Sequence, residues 1–194
     1  MKRDDDVPEF AAVALEAEGG VDRAARDVLG ALAVALPPVR PRDELRARLL
    51  ASAARPEERY APFHTRLSRL LDLGVERLTQ IFRAAADESN WERPPIAGMS
   101  LFHFEGGPAL AGADTGLVRM EAGSEFPLHE HLGKERVLVL SGGYLDSSGT
   151  TYGAGQSQEM ASGSAHSYVV LPDAPCVFCV VLEGGITIGG KRFG

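Results

Sequence analysis

Three of the chain's five histidines, His129, His131 and His166, fall with Glu135 into two short stretches of the C-terminal half. Imidazole and carboxylate are donor types that Zn, Fe, Mn, Ni and Cu accept. His129 and His131 are two residues apart, and in a strand residues i and i+2 face the same side, about 7 Å apart. Two imidazoles so placed converge on one ion. Glu135 follows Leu132-Gly133-Lys134, a link containing the glycine that a tight reversal favours. It opens an apolar, β-rich run from Arg136 to Leu140, so its carboxylate can face the same interior. His166 arrives just after Ser162-Gly163-Ser164, a second turn. Surface histidines on turns are the plain alternative. Four donor residues at turn-adjacent positions of β-type sequence favour a metal site in a small β-barrel.

The elements that must position these residues differ between the two halves. Residues 1–92 read as helices. Ala11 to Glu18 and Val21 to Leu36 are rich in Ala and Leu, are split by Gly19-Gly20, and end at Pro37-Pro38. Asp43-Glu44 opens a short helix over Leu45 to Ala54, with acidic residues at its positive end. After the polar link Arg55-Pro56-Glu57-Glu58, the residues Phe63, Leu67, Leu70 and Leu71 recur at helical spacing, and Gly74 marks a C-cap. Val75, Leu78, Ile81, Phe82 and Ala85 carry a further helix. Asp87 to Pro95 reads as a linker holding Trp91. From Met99 the pattern becomes short β-runs separated by Gly, Ser and Pro, so residues 93–194 form the metal-binding domain. The fold class is α+β, a helical region followed by an all-β domain.

The chain has 194 residues, 44% hydrophobic and 24% charged, with a net charge of −7. That composition is globular, and its acidity argues against a dedicated nucleic-acid surface. No apolar run approaches the ~18 residues of a membrane span. Met-Lys-Arg-Asp-Asp-Asp is too acidic for a signal-peptide start, which points to a cytoplasmic protein.

The stretch Gly123 to Gly142 fits the first cupin motif, G-x5-H-x-H-x3,4-E-x6-G, at every fixed position: Gly123, His129, His131, Glu135 and Gly142. Gly155, Gly163 and His166 fit the second motif, where Ala161 and Val170 replace its proline and asparagine. The region thus resembles the cupins. That resemblance implies a double-stranded β-helix, or jelly-roll barrel, and the ligands His129, His131, Glu135 and His166 for a divalent metal, with zinc first and Fe, Mn, Ni or Cu as alternatives. It also makes a homodimer the default.

The whole layout, from helices through a proline-marked link and a Trp-containing linker to a cupin, resembles the ChrR-type anti-sigma factors. Pro37-Pro38, Pro41 to Leu50, Arg93 to Gly98, Phe102 to Gly107 and the cupin from Leu117 to Glu183 carry the likeness. The resemblance implies a sigma-factor partner for the N-terminal helices and a zinc-binding sensor cupin. One departure stands out. The family's N-terminal H-x3-C-x2-C zinc motif has no counterpart in Val21 to Gly30, which holds neither His nor Cys.

Other features carry bland and sharp readings. Cys176 and Cys179 form a C-x-x-C, but they lie in a buried-strand pattern that points them to opposite faces, which favours core cysteines over a redox pair. Leu67 to Phe82 has the look of a helix-turn-helix that would use Arg77 and Arg83 on DNA, yet acidic neighbours favour an ordinary helical hairpin. His103 reads as a strand residue rather than a fifth ligand, and His64 has no evident partner. Zinc would close a tetrahedral site, whereas Fe, Mn, Ni or Cu would leave positions open for a dioxygenase-type enzyme. Tyr144, Tyr152, Gln158, Glu159 and Tyr168 are the candidate polar groups near the mouth. The interior around Val137-Val139 and Val169-Leu171 reads as apolar and well filled.

Overall fold

The computed structural model describes residues 23–37, 39–53 and 55–194. The helix expected over Ala11–Glu18 and the Gly19-Gly20 break lie outside these residues. The chain divides into two units, Met1–Leu45 and Arg46–Gly194. In the first, helix α1 covers Arg23–Ala35, and its Ala, Leu and Arg content suits a helix. Pro37 follows and cannot continue it. Val28, Leu29, Leu32 and Val34 on α1 are exposed. Helix α2 covers Asp43–Ala53, its first turn with Asp43 and Glu44 in the first unit and the rest in the second. Its Leu49 and Leu50 are exposed as well.

In the second unit, helices α3 (His64–Leu71) and α4 (Val75–Ala85) bury Leu67, Leu71, Leu78, Ile81 and Phe82 at the predicted helical spacing. Each such side chain contributes about 1.5–3 kcal/mol on burial. The turn between them is built differently from the expectation. Asp72, not Gly74, takes the left-handed C-cap conformation (φ 54°), and Gly74 is the N-cap of α4. Asp adopts that conformation more readily than most residues, and its Oδ2 also accepts from Ala109 N–H at 2.9 Å.

The segment expected as a linker, Asp87–Pro95, is packed rather than free. It begins with a 3-10 turn, Glu88–Asn90. Trp91 Nε1–H donates to Ala85 O at 2.8 Å, and the Arg119 guanidinium lies 4.5 Å from the Trp91 ring centre. Glu88 pairs with Arg119 at 2.6 Å.

Eleven strands follow: β1 (Met99–His103), β2 (Ala113–Met120), β3 (Glu125–His131), β4 (Glu135–Ser141), β5 (Gly143–Asp146), β6 (Thr151–Gly153), β7 (Ser157–Met160), β8 (Ala165–Val170), β9 (Cys176–Glu183), β10 (Ile186–Ile188) and β11 (Lys191–Phe193). They form two antiparallel sheets, one in the order β1-β2-β9-β4-β7 and the other β11-β10-β3-β8-β5-β6. This is the two-sheet jelly roll read from the sequence.

The five-stranded sheet is covered on both faces. Leu117, Leu138, Cys179 and Val181 pack in one cluster with the α3 and α4 side chains. Their strand neighbours Val118, Val137, Val139 and Phe178 pack in a second cluster with Phe126, Tyr144, Tyr168 and Ile186 of the other sheet. Double burial explains why β4 and β9 read as nearly unbroken apolar runs instead of alternating ones. Among the described residues, no helix is long and apolar enough to cross a membrane.

Candidate metal centre

The four donor residues reach one place from three strands. His129 and His131 are on β3, and their i, i+2 spacing puts both side chains inside, 3% and 0% exposed. His129 stands directly opposite His166 of β8 in the ladder. Glu135 comes from the other sheet, as the first residue of β4. The reversal that carries the chain across is tight, because a Cβ at Gly133 would lie 1.9 Å from the Glu183 carbonyl oxygen. One donor atom from each of the four residues lies within 4.8 Å of the others.

Each of the three rings is oriented by a hydrogen bond at its Nδ1. His129 Nδ1–H donates to Pro127 O at 3.0 Å, and His131 Nδ1–H to Ser164 O at 3.1 Å. His166 Nδ1–H donates to Asp146 Oδ2. Carbonyl and ionised carboxylate oxygens only accept, so each acceptor places the proton on Nδ1 and leaves the Nε2 lone pair for another partner. His166 Nε2 is buried without a hydrogen-bond partner. Glu135 Oε2 lies 3.2 Å from His131 Nε2 and 3.9 Å from His166 Nε2. An orphaned ring nitrogen beside two more Nε2 atoms and a carboxylate is a donor set that fits a divalent ion.

Burial and the Glu135 carboxylate push two of the rings in opposite directions. Burial pushes the His129 pKa down to about 4. Burial works against charge on His131 too, but the Glu135 carboxylate and the Ser164 carbonyl outweigh it and the net shift is upward.

Sequence reasoning missed Asp146. It ends β5, is 4% exposed, and stands behind His166. Its Oδ1 accepts from Ser148 N–H at 2.7 Å, and its Oδ2 accepts from Gln158 Nε2–H at 2.9 Å. Burial alone would raise its pKa, but these bonds and His166 hold the carboxyl well below the usual range. Tyr144 O–H closes the chain by donating to Gln158 Oε1 at 2.7 Å. Asp146 follows Tyr144 at i+2, and that same-face spacing was the available signal.

The match to a family of known sequences covers residues 79–184, the ChrR cupin-like domain. The chain belongs to the ChrR cupin-like domain family. The matched region takes in α4 from Thr79 onward, the Trp91 segment and every donor residue named above. No curated protein matches the sequence.

Among solved structures, a chain of the Rhodobacter sphaeroides complex of SigE with the anti-sigma ChrR is 21% identical. It aligns over 82% of this chain and 77% of that one, with a TM-score of 0.50. An acetylacetone dioxygenase from Acinetobacter johnsonii is 21% identical over 56% of this chain and 79% of that one, with a TM-score of 0.46. A Ralstonia eutropha protein of unknown function with a cupin-like fold is 23% identical, with a TM-score of 0.43, and the alignment covers 50% of this chain but only 64% of that one. At these identities the likeness concerns the fold alone.

The remaining candidates of this ChrR cupin-like chain sort by position. Tyr144, Gln158 and Tyr168 are buried and line a cavity beside the donor group. Glu159 points away and pairs with Lys134 at 2.6 Å. Tyr152 stacks near Tyr144, with ring centres 5.4 Å apart, and is not part of the cavity lining. His103 is exposed at the end of β1. His64 stacks on Phe82, and burial lowers its pKa.

Cys176 and Cys179 are buried free thiols in separate clusters, one on each face of β9. Burial pushes both up to about 12. Arg83 pairs with Glu57 at 3.3 Å, and Arg77 Nη1–H donates to Gln80 at 3.2 Å. The interior expected to be well filled instead holds a cavity of about 270 Å³.

Proposed function

We propose that this chain is a metal-binding sensor of the anti-sigma type. Residues 93–194 hold a divalent ion, zinc in the first instance, through His129, His131, Glu135 and His166. Residues 1–92 engage a protein partner, a sigma factor. The observation that carries the metal reading is the set of three imidazoles pinned at Nδ1, with a buried, unpartnered Nε2 on His166 beside Glu135. When bound, the ion supplies charge that links the two sheets at this point and polarises whatever oxygen meets it. The chain's own residues do the rest: Pro127 O, Ser164 O and Asp146 orient the rings, and Glu135 supplies the one negative donor.

The partner reading draws on membership of the ChrR cupin-like family and on the exposed Val28, Leu29, Leu32 and Val34 of α1, an apolar run suited to a groove contact. The similarity in fold to a chain of the complex of SigE with the anti-sigma ChrR supports the same reading.

A metal-dependent dioxygenase is the second reading, favoured by the apolar cavity next to the donor group. Elemental analysis of protein purified without added metal separates the two. Stoichiometric zinc, together with co-purification of a co-expressed sigma factor that is lost on deleting α1, supports the sensor. Stoichiometric Fe, Mn, Ni or Cu with substrate-dependent O₂ uptake supports the enzyme. Protein carrying no metal at all counts against both.

A further inference from the structure

The four donor residues account for the centre but not for the space beside it. The cavity of about 270 Å³ lies within the jelly roll, with His129, Glu135 and His166 on its wall. Most of the remaining lining is apolar, including Met99, Leu101, Val137, Val180, Leu182 and Ile188. No lysine or arginine lines it among the described residues. Two further charge-bearing side chains on the lining, Asp114 and His103, are exposed, which puts them at the rim.

Two properties of this space define an occupant. The first is charge. A divalent ion among three neutral imidazoles and one carboxylate keeps a single net positive charge. With apolar walls, that charge is most favourably neutralised by one anionic oxygen. A dianion would leave an uncompensated charge in a wall that offers no lysine or arginine. The second is size and polarity. A buried apolar cavity of about 150 Å³ holds a benzene ring, so about 270 Å³ takes a molecule of about ten heavy atoms with a hydrocarbon body.

We infer that the cavity takes a small apolar monoanion. It is a medium-chain or aromatic carboxylate whose oxygen meets the ion held by His129, His131, Glu135 and His166 and whose hydrocarbon lies against Val137, Val180 and Leu182. This assignment rests on the metal reading above and names the class of ligand that the same site senses or transforms.

The experiment is calorimetric titration of the zinc-loaded full chain with octanoate and with acetate, repeated after chelation. Metal content is measured in each sample. Octanoate is expected to bind at least tenfold tighter than acetate, and to lose at least tenfold in affinity when the metal is removed. Val180→Phe and Leu182→Phe, which fill the apolar end, are expected to retain metal and to bind octanoate no better than acetate; either variant that keeps stoichiometric metal serves. A cobalt-loaded sample reports independently, because octanoate arriving at the ion changes its visible absorption. Zinc-loaded protein that binds octanoate and acetate alike, or binds neither, overturns the ligand assignment while leaving the metal reading intact. Octanoate binding that survives chelation unchanged overturns the charge argument and with it the assignment. A chain that takes up no metal sinks both.

Discussion

Asp146 stands behind His166: the imidazole Nδ1–H donates to Asp146 Oδ2 at 2.5 Å, while the ring's Nε2 is buried, unpartnered, and 3.9 Å from Glu135 Oε2. A carboxylate in this place fixes ring and tautomer and makes the free nitrogen a better donor. Asp146→Ala is expected to weaken zinc binding about 10–100-fold, measured by competition with a chromophoric chelator. Unchanged affinity would mean that the ring is held by packing alone.

His131→Ala removes a fully buried donor and the partner of Glu135. The variant is expected to purify without stoichiometric metal, and to melt at a lower temperature than the zinc-loaded parent and close to the chelated parent. Retention of one metal per chain would show that His131 is not a ligand.

The chelated protein has a defined pH dependence. Burial sets the His129 pKa at about 4, below its ordinary 6.5. The unfolded chain therefore gains a proton, as pH falls through that window, that the folded chain resists. The His129 contribution is complete above about pH 6.5 and is lost as pH falls towards 4. It amounts to about 2 kcal/mol between pH 7.5 and 5. Asp146, held low, acts with the same sign at more acidic pH, whereas the raised His131 acts against it. Denaturant unfolding at the two pH values tests this, and His129→Asn is expected to lose most of the His129 share.

The two thiols are buried on opposite faces of β9 and pushed up to about 12. Native protein is expected to show no thiol titrating with a disulfide reagent over minutes, and both titrating in denaturant. Rapid reaction of either in the folded state would reopen a redox role for the C-x-x-C.

Gly142 has φ of +66°, and a Cβ there would lie 2.3 Å from the Pro175 carbonyl oxygen. Gly142→Ala is expected to cost about 1–3 kcal/mol by combining backbone strain with a clash against backbone. Chemical denaturation of the zinc-loaded protein measures it, and a loss under about 0.5 kcal/mol would mean that the β4–β5 corner is free to move.

Much of this protein was readable in the chain itself, because the signals were local. Strand spacing put His129 and His131 on one face, helical spacing chose Leu67, Leu71, Leu78, Ile81 and Phe82 for burial, and the i, i+3 offset sent Cys176 and Cys179 to opposite sides of one strand. Each follows from the period of a single element. Only the tertiary structure decided the rest. That Glu135 crosses from one sheet to meet histidines of the other depends on how two sheets stack. That Asp146 supports His166 depends on a pairing between β5 and β8, twenty residues apart in sequence. Trp91 is tied down by Arg119, and Asp72, which turns the helix pair in place of Gly74, is met by Ala109, and both partners are distant in sequence. The cavity belongs to this second class as well. It is lined from both sheets, by Val137, Phe178 and Val180 of one and Phe126, Tyr144 and Tyr168 of the other, and no single strand records that spacing.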